Sequence, residues 1–199
     1  MVYAFQGHVP VVHPSSFIHP QAALTGQVII GKKCYIGPGA AIRGDWGKII
    51  IEDGCNVQEN CTIHMFPGVT VLLQKGAHIG HGAIIHGATI GKHCLVGMNA
   101  VIMDDVILGD ECIVGALSFI KQGEVYPKRS LIVGNPARLI KKVSNEMMQW
   151  KKQGTAIYQA LPKQCIDTLT ACEPLTKQPK QDNLVNAVTY NTWKTTKKI

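Results

Sequence analysis

An aliphatic residue returns every six positions along most of the chain. It falls at Ile18, Leu24, Ile30, Ile36 and Ile42, then at Ile51, Val57 and Ile63, then at Leu73, Ile79 and Ile85. After a slip of one residue it continues through Ile90, Val96, Ile102, Leu108, Val114 and Ile120. Four positions after the aliphatic the residue is small or β-branched, as at Ala22, Val28, Cys34, Ala40, Cys55, Cys61, Ala77, Cys94 and Cys112. Glycine often follows it directly, as at Gly31, Gly37, Gly80 and Gly97. Alternation in twos predicts ordinary sheet, and a spacing near 3.6 predicts helix. A period of six is neither. It predicts a strand of about two to four residues and then a sharp corner, with one large and one small side chain turned inward per unit.

This repeat resembles that of the hexapeptide-repeat proteins, which are mainly β and wind as left-handed parallel β-helices. The resemblance implies three units per triangular coil. The stretch from Val12 to Ile120 then holds about six coils, stacked at roughly 4.8 Å. Each coil buries its aliphatics only against its neighbours, so the stack needs several coils and a cap at each end. The pattern changes near Val133-Gly134-Asn135-Pro136-Ala137-Arg138, which is similar to the chain exit of many hexapeptide-repeat enzymes. Beyond it Ser144 is placed to cap a helix, with Glu146 in the first turn. Ile157, Leu161, Cys165 and Leu169 recur at four, and Met147 and Trp150 widen the stripe. A helix over 144–171 is expected, packed along the β-helix, with Pro162 a candidate break. The predicted organisation is a β-helix domain over 1–143, a C-terminal helix over 144–172 and a loosely ordered tail over 173–199.

Composition narrows the picture. The chain is 46% hydrophobic and 17% charged, which excludes a disordered protein. Twenty Gly, ten Pro and 6% aromatics disfavour a helical bundle. No apolar run reaches the ~18–20 residues that span a bilayer, so no membrane partner is expected. The start lacks a basic segment followed by an apolar one, and the seven Cys form no C-x-x-C. Both point to a reducing cytoplasm. Five of the Cys fall on small inward positions, where a thiol serves as a compact apolar group. The net charge of +7 is uneven: residues 1–120 hold six Lys/Arg and eight Asp/Glu, residues 121–199 fourteen and five. No stacking aromatics are interleaved with these cations, so nucleic acid is not an expected partner. The basic tail is either a solvated face or a site for an anion. Lys128, Arg129, Arg138, Lys141 and Lys142 are candidates to attract CoA phosphates.

Two interruptions break the period. The step from Ile42 to Ile51 is nine, and that from Ile63 to Leu73 is ten. Insertions into a solenoid form loops, often on the functional side. Arg43, Asp45, Asn56, Gln58, Glu59, His64, His78, His81 and His86 gather beside them. Arg43, His64 and His86 each follow a register aliphatic directly, and their spacings of 21 and 22 equal one coil plus an insertion. They therefore stack on one face, about 4.8 Å apart, where two imidazoles can share one ion. His81 follows Ile79 by two and lies on the preceding face, as does Gln58 after Val57. The three rings do not converge easily within one chain. If protomers pack around a threefold axis, the His64/His86 face of one meets the His81 face of the next. A solvated surface histidine remains the plainer reading of any one of them.

The ordered segments Ile42-Arg43-Gly44-Asp45, Asn56-Val57-Gln58-Glu59-Asn60, Ile63-His64, His78-Ile79-Gly80-His81-Gly82-Ala83-Ile84-Ile85-His86-Gly87 and Val96-Gly97-Met98-Asn99-Ala100 match the γ-class carbonic anhydrase pattern. Residues 1–172 resemble in particular the phenylacetate-pathway and carnitine-operon branch of that family. The resemblance implies a homotrimer with zinc, or Fe2+ in some members, held by His64 and His86 of one subunit and His81 of another. It implies an Arg43–Asp45 interaction across the boundary and a Gln58, with Asn56 beside it, that orients the solvent on the ion. Glu59 departs from the Asp that many relatives carry. The acidic proton-shuttle loop has no counterpart, since Met65-Phe66-Pro67-Gly68-Val69-Thr70 holds no carboxylate. A three-histidine ion makes hydroxide available near neutral pH. The electrophile is then CO2, giving bicarbonate, or an acyl-CoA thioester. Two other classes stay open: a CoA-dependent acyltransferase with a histidine base, and an inactive trimeric accessory protein.

Overall fold

The structure, a computed structural model, describes residues 1–178 and 190–196. The repeat closes into a three-faced β-solenoid of parallel rungs. Face one carries 23–26, 41–44, Thr62–His64, Ile84–His86, Val101–Ile102 and Phe119–Ile120. Face two carries Val11–Val12, 28–30, 48–51, Thr70–Leu73, Thr89–Ile90, Ile107–Leu108 and Val125–Tyr126. Face three carries Phe17–Ile18, Tyr35–Ile36, Asn56–Val57, His78–Ile79, Leu95–Val96, Ile113–Val114 and Ser130–Gly134. Two long strands, Ala23–Ile30 and Ala41–Ile51, bend round the corner between faces one and two.

The rungs number about seven, one more than the aliphatic count predicts. The extra coil keeps the period but hides it. Six residues after Ile120 the register residue is Tyr126, and Ile132 follows. Tyr126 is only half-buried and turns its hydroxyl to Glu124 Oε2 at 2.6 Å.

The core is a column of register aliphatics, with Ile36, Val57, Ile79, Val96 and Val114 essentially inaccessible. Cys34, Cys55, Cys61, Cys94 and Cys112 are buried among them and unpaired. Burial pushes the Cys61 thiol up to about 11, which keeps it an inert filler at neutral pH. Because each rung packs only on its neighbours, a void in a central coil has little room to collapse. Ile79→Ala is expected to cost about 2–5 kcal/mol, measured as the shift in urea unfolding.

The helix α1 runs Asn145–Thr168, and Ser144 caps it by accepting from the Met147 N–H at 3.3 Å. It lies along face three and stops three residues short of the expected end. Ile166 and Leu169 are more than half exposed, so the last turns find no apolar surface to hold them. Pro162 does not divide it. Contacts upstream hold the helix in place despite the hydrogen bond that proline removes. Tyr158 packs on Tyr35 and His78, with ring centroids 5.8 and 5.1 Å apart. Gln159 Nε2 donates to Gly54 O at 3.0 Å and Lys151 Nζ to Gly76 O at 2.7 Å.

Ala137–Lys142 returns antiparallel on Ser130–Gly134 and closes the upper end. Val2–Tyr3 covers the lower one. Within 173–199, residues 173–178 form no helix or strand. Residues 190–193 return to α1, where Tyr190 stacks on Trp150 at 5.6 Å and Asn191 O accepts from Trp150 Nε1 at 2.9 Å. The expectation for 179–189 and 197–199 lies outside the described residues. Among the described residues no helix is long and apolar enough to cross a membrane.

Candidate functional site

Face one brings Arg43, His64 and His86 into a single outward stack. The register pairs His86 with His64, and Ile42 with Ile63 one coil below, which sets Arg43 beside His64. The two imidazole centroids are 5.3 Å apart. His86 Nδ1 meets Asp104 Oδ1 at 2.7 Å. The Asp104 side chain is 5% exposed, so this carboxylate is dedicated to the imidazole. It reaches the ring over Gly87, where a Cβ would lie 2.2 Å from Asp104 Oδ1. His64 Nε2 lies 3.0 Å from both Asp45 Oδ1 and Arg43 Nη2. Arg43 and Asp45 also pair with each other within the chain, at 3.3 Å.

His81 sits in the turn between faces three and one. The register places it one coil above Glu59, and its Nδ1 contacts Glu59 Oε2. Its side chain is 47% exposed, against 10% for His64. Among the described residues no three His, Cys, Asp or Glu side chains of one chain converge on a point that would hold a metal ion. The donor chemistry of His81 and His86 nevertheless suits a metal. Each turns Nδ1 to a carboxylate, an arrangement in which Nε2 is the nitrogen left to ligate. His64 fits on condition that Nε2 exchanges its Asp45 and Arg43 contacts for the ion.

Gln58 and Asn56 lie under α1. Gln58 is 2% exposed, and its Nε2 donates to Asn56 Oδ1 at 3.0 Å and faces His78 Nε2 at 2.7 Å. His78 Nδ1 faces Thr155 Oγ1 of α1 at 3.3 Å. Burial, reinforced by the Lys151 charge, holds the His78 imidazole down to about 3, so it is neutral. The Gln58 amide N–H groups are thus turned inward, and among the described residues Asn56 Nδ2 meets no hydrogen-bond partner.

The two insertions meet over the histidines. Trp46 lies 5.1 Å from the His64 ring and Phe66 5.2 Å from the His86 ring. Arg43 packs its guanidinium 5.9 Å from the Trp46 centroid. The loops touch closely: a Cβ on Gly47 would lie 2.1 Å from Val69 O. Asp104, Trp46, Phe66 and Thr155 were not singled out by sequence reasoning. Asp104 carried a signal, since it stands two residues after the register aliphatic Ile102, one coil above Gly87 and so beside His86.

The basic segment divides. Lys128 and Arg129 turn to Glu111, at 3.7 and 2.6 Å, whereas Lys141 and Lys142 line a shallow groove of about 460 Å3 beside the start of α1.

The parallel rungs and six-residue corners define a hexapeptide-repeat left-handed β-helix protein, and the family model described as bacterial transferase hexapeptide (six repeats) matches residues 10–44 and 87–122. The carnitine operon protein CaiE of Proteus sp. (strain LE138) is 47% identical over 175 residues, 88% of this chain and 89% of the relative. CaiE of Escherichia coli (strain K12) is 47% identical over 173 residues, 87% and 88% of the two chains. The chain belongs to the hexapeptide-repeat family, in its CaiE-like group. Among solved structures, the BC4754 gene product of Bacillus cereus, provisionally described as an acetyltransferase, is 31% identical with a TM-score of 0.81, covering 82% of this chain and 95% of that one. A hexapeptide transferase family protein of Anaplasma phagocytophilum is 29% identical with a TM-score of 0.79, covering 82% and 96%.

Proposed function

We propose that the chain works as a homotrimeric metalloenzyme that adds water to the carbonyl carbon of an acyl-CoA thioester, with CO2 as the competing electrophile. The observation that carries this is the pair of carboxylate-held imidazoles, Asp104 on His86 Nδ1 and Glu59 on His81 Nδ1. A carboxylate on Nδ1 fixes the tautomer and raises the basicity of the ligating nitrogen. His64 and His86 of one subunit and His81 of the next would hold zinc, or Fe2+. The ion supplies Lewis-acid activation of water near neutral pH. Arg43 holds the Asp45 carboxylate against His64. Gln58, its amide nitrogen committed to Asn56 and His78, keeps Oε1 to accept a hydrogen bond from water or substrate. Trp46 and Phe66 cover the histidines with apolar surface and bring no carboxylate to export protons. That favours a thioester over fast CO2 hydration.

A second reading has one observation in its favour. The Bacillus cereus relative is provisionally described as an acetyltransferase, and the His86–Asp104 pair is a suitable general base. Metal analysis and an acyl-CoA panel separate the two. Zinc or iron at about one ion per chain, with CoA release that needs no acceptor, is the expected result. Acyl transfer to an added amine by metal-free protein would reject it.

A further inference from the structure

We infer that the lower end of the solenoid is a docking surface for a second copy of the assembly, so that two trimers close end to end into a hexamer. The lowest coil is built from Val2–Tyr3, Val11–Val12 and Phe17–Ile18, one short strand on each face. Each pairs upward only, with Ala23–Ile30 or Tyr35–Ile36, and no strand lies beneath any of them among the described residues. The core column is therefore cut open there. Val2 stands in register with Leu24, Val12 with Ile30 and Ile18 with Ile36. Leu24, Ile30 and Ile36 are at most 2% exposed, whereas Val2 is 52% exposed and Val12 and Ile18 are only half-buried. The turn that joins the first two strands adds Phe5 and Val9, and Val11 points outward beside it; all three are exposed.

The chemistry of this end selects its partner. Residues 1–31 contain no Asp, Glu, Lys or Arg; the twenty Lys/Arg and thirteen Asp/Glu of the chain all lie beyond them. A surface set against its own copy across a twofold axis meets its own charges, and this segment brings none to oppose. A twofold axis across the solenoid also reverses the direction of winding. The exposed edges then face each other antiparallel, a direction in which edge strands pair readily. Area points the same way. His81 and His86 lie in one coil, so subunits that share an ion stand level and set three lower ends side by side. This step rests on the trimer proposed above. A standard interface buries about 800 Å2 per partner, so each of the three ends needs to supply only about 270 Å2. Val2, Tyr3, Phe5, Val9 and Val11, each more than a third exposed, are enough for that. The contact closes on itself, because the upper ends, capped by Ala137–Lys142, stay outside it.

Sedimentation velocity of the full-length protein tests this. Six chains of 21.6 kDa give about 130 kDa, and that mass is expected at micromolar concentration. It is expected to hold in high salt, since screening acts on charges and the contact has no charged side chain from residues 1–31. Val9→Glu puts a carboxylate into the contact from an exposed turn. It is expected to weaken the pairing at least about a hundredfold, leaving trimers of about 65 kDa. Val11→Glu takes its place if Val9→Glu does not fold. Val125→Glu, at the other end of face two and 65% exposed, is expected to stay hexameric. A wild-type protein that sediments as a trimer, a folded Val9→Glu hexamer, or trimers from Val125→Glu would overturn the lower-end contact. A wild-type dimer that Val9→Glu turns into a monomer would keep the contact and refute the trimer.

Discussion

Mixing two inactive variants, His81→Ala and His86→Asn, is expected to restore activity that neither has alone. The asparagine keeps a donor for Asp104, so the buried carboxylate is not orphaned. Each homotrimer lacks one ligand at every site and is expected to lose at least about a hundredfold in turnover, since even residues behind the ligands are worth 10–100-fold. In a mixed trimer one boundary joins the intact His64/His86 pair of an His81→Ala subunit to the intact His81 of an His86→Asn subunit. Random reassembly of equal amounts regenerates about a quarter of the wild-type sites under a cyclic head-to-tail arrangement. The measurement is turnover and bound metal after denaturation and co-refolding, with trimer mass as the control. No recovery of either in properly assembled mixed trimers would place the histidines of each site in one chain.

Stability is expected to rise as the solution becomes alkaline, through Lys151. This side chain is 2% exposed and spans from α1 to Gly76 O at 2.7 Å. Burial pulls its ammonium down to about 8. Below that pH both folded and unfolded chains carry the proton, and the folded state bears the cost of an enclosed charge. Between about 8 and the ordinary lysine value near 10.4 only the unfolded chain is protonated, so stability climbs with pH. The size of the shift corresponds to about 3 kcal/mol. Lys151→Met removes the titrating group. Its stability relative to wild type is therefore expected to fall by about 3 kcal/mol between pH 7 and pH 10.5, tracked by urea unfolding at each pH. Parallel pH profiles for the two proteins would refute the assignment.

The core of this fold was legible because a solenoid writes the same instruction in every coil. Ile36, Val57, Ile79 and Val96 are buried for the reason that their spacing announces. The seventh coil escaped because Tyr126 replaced an aliphatic. Coil arithmetic brings His64 over Arg43 and His86 over His64, since rungs in register convert sequence spacing into distance. The same arithmetic does not extend to α1. No period says which face the helix will cover, so Thr155 and Tyr158 against His78 became visible only in three dimensions. Nor does it describe the insertions, which leave the register and bring Trp46 and Phe66 over the imidazoles.

Parallel rungs leave an open edge wherever the stack stops, and an open edge invites another molecule to add a strand. Here the last rung is met by Ala137–Lys142 running the opposite way, with Arg138, Lys141 and Lys142 exposed along it. A further parallel coil finds no matching direction at that end, and three cations along the strand. Arg138, Lys141 and Lys142 thus have a use that involves no ligand. Placed there, like charges on two copies disfavour end-to-end growth of the solenoid into a filament.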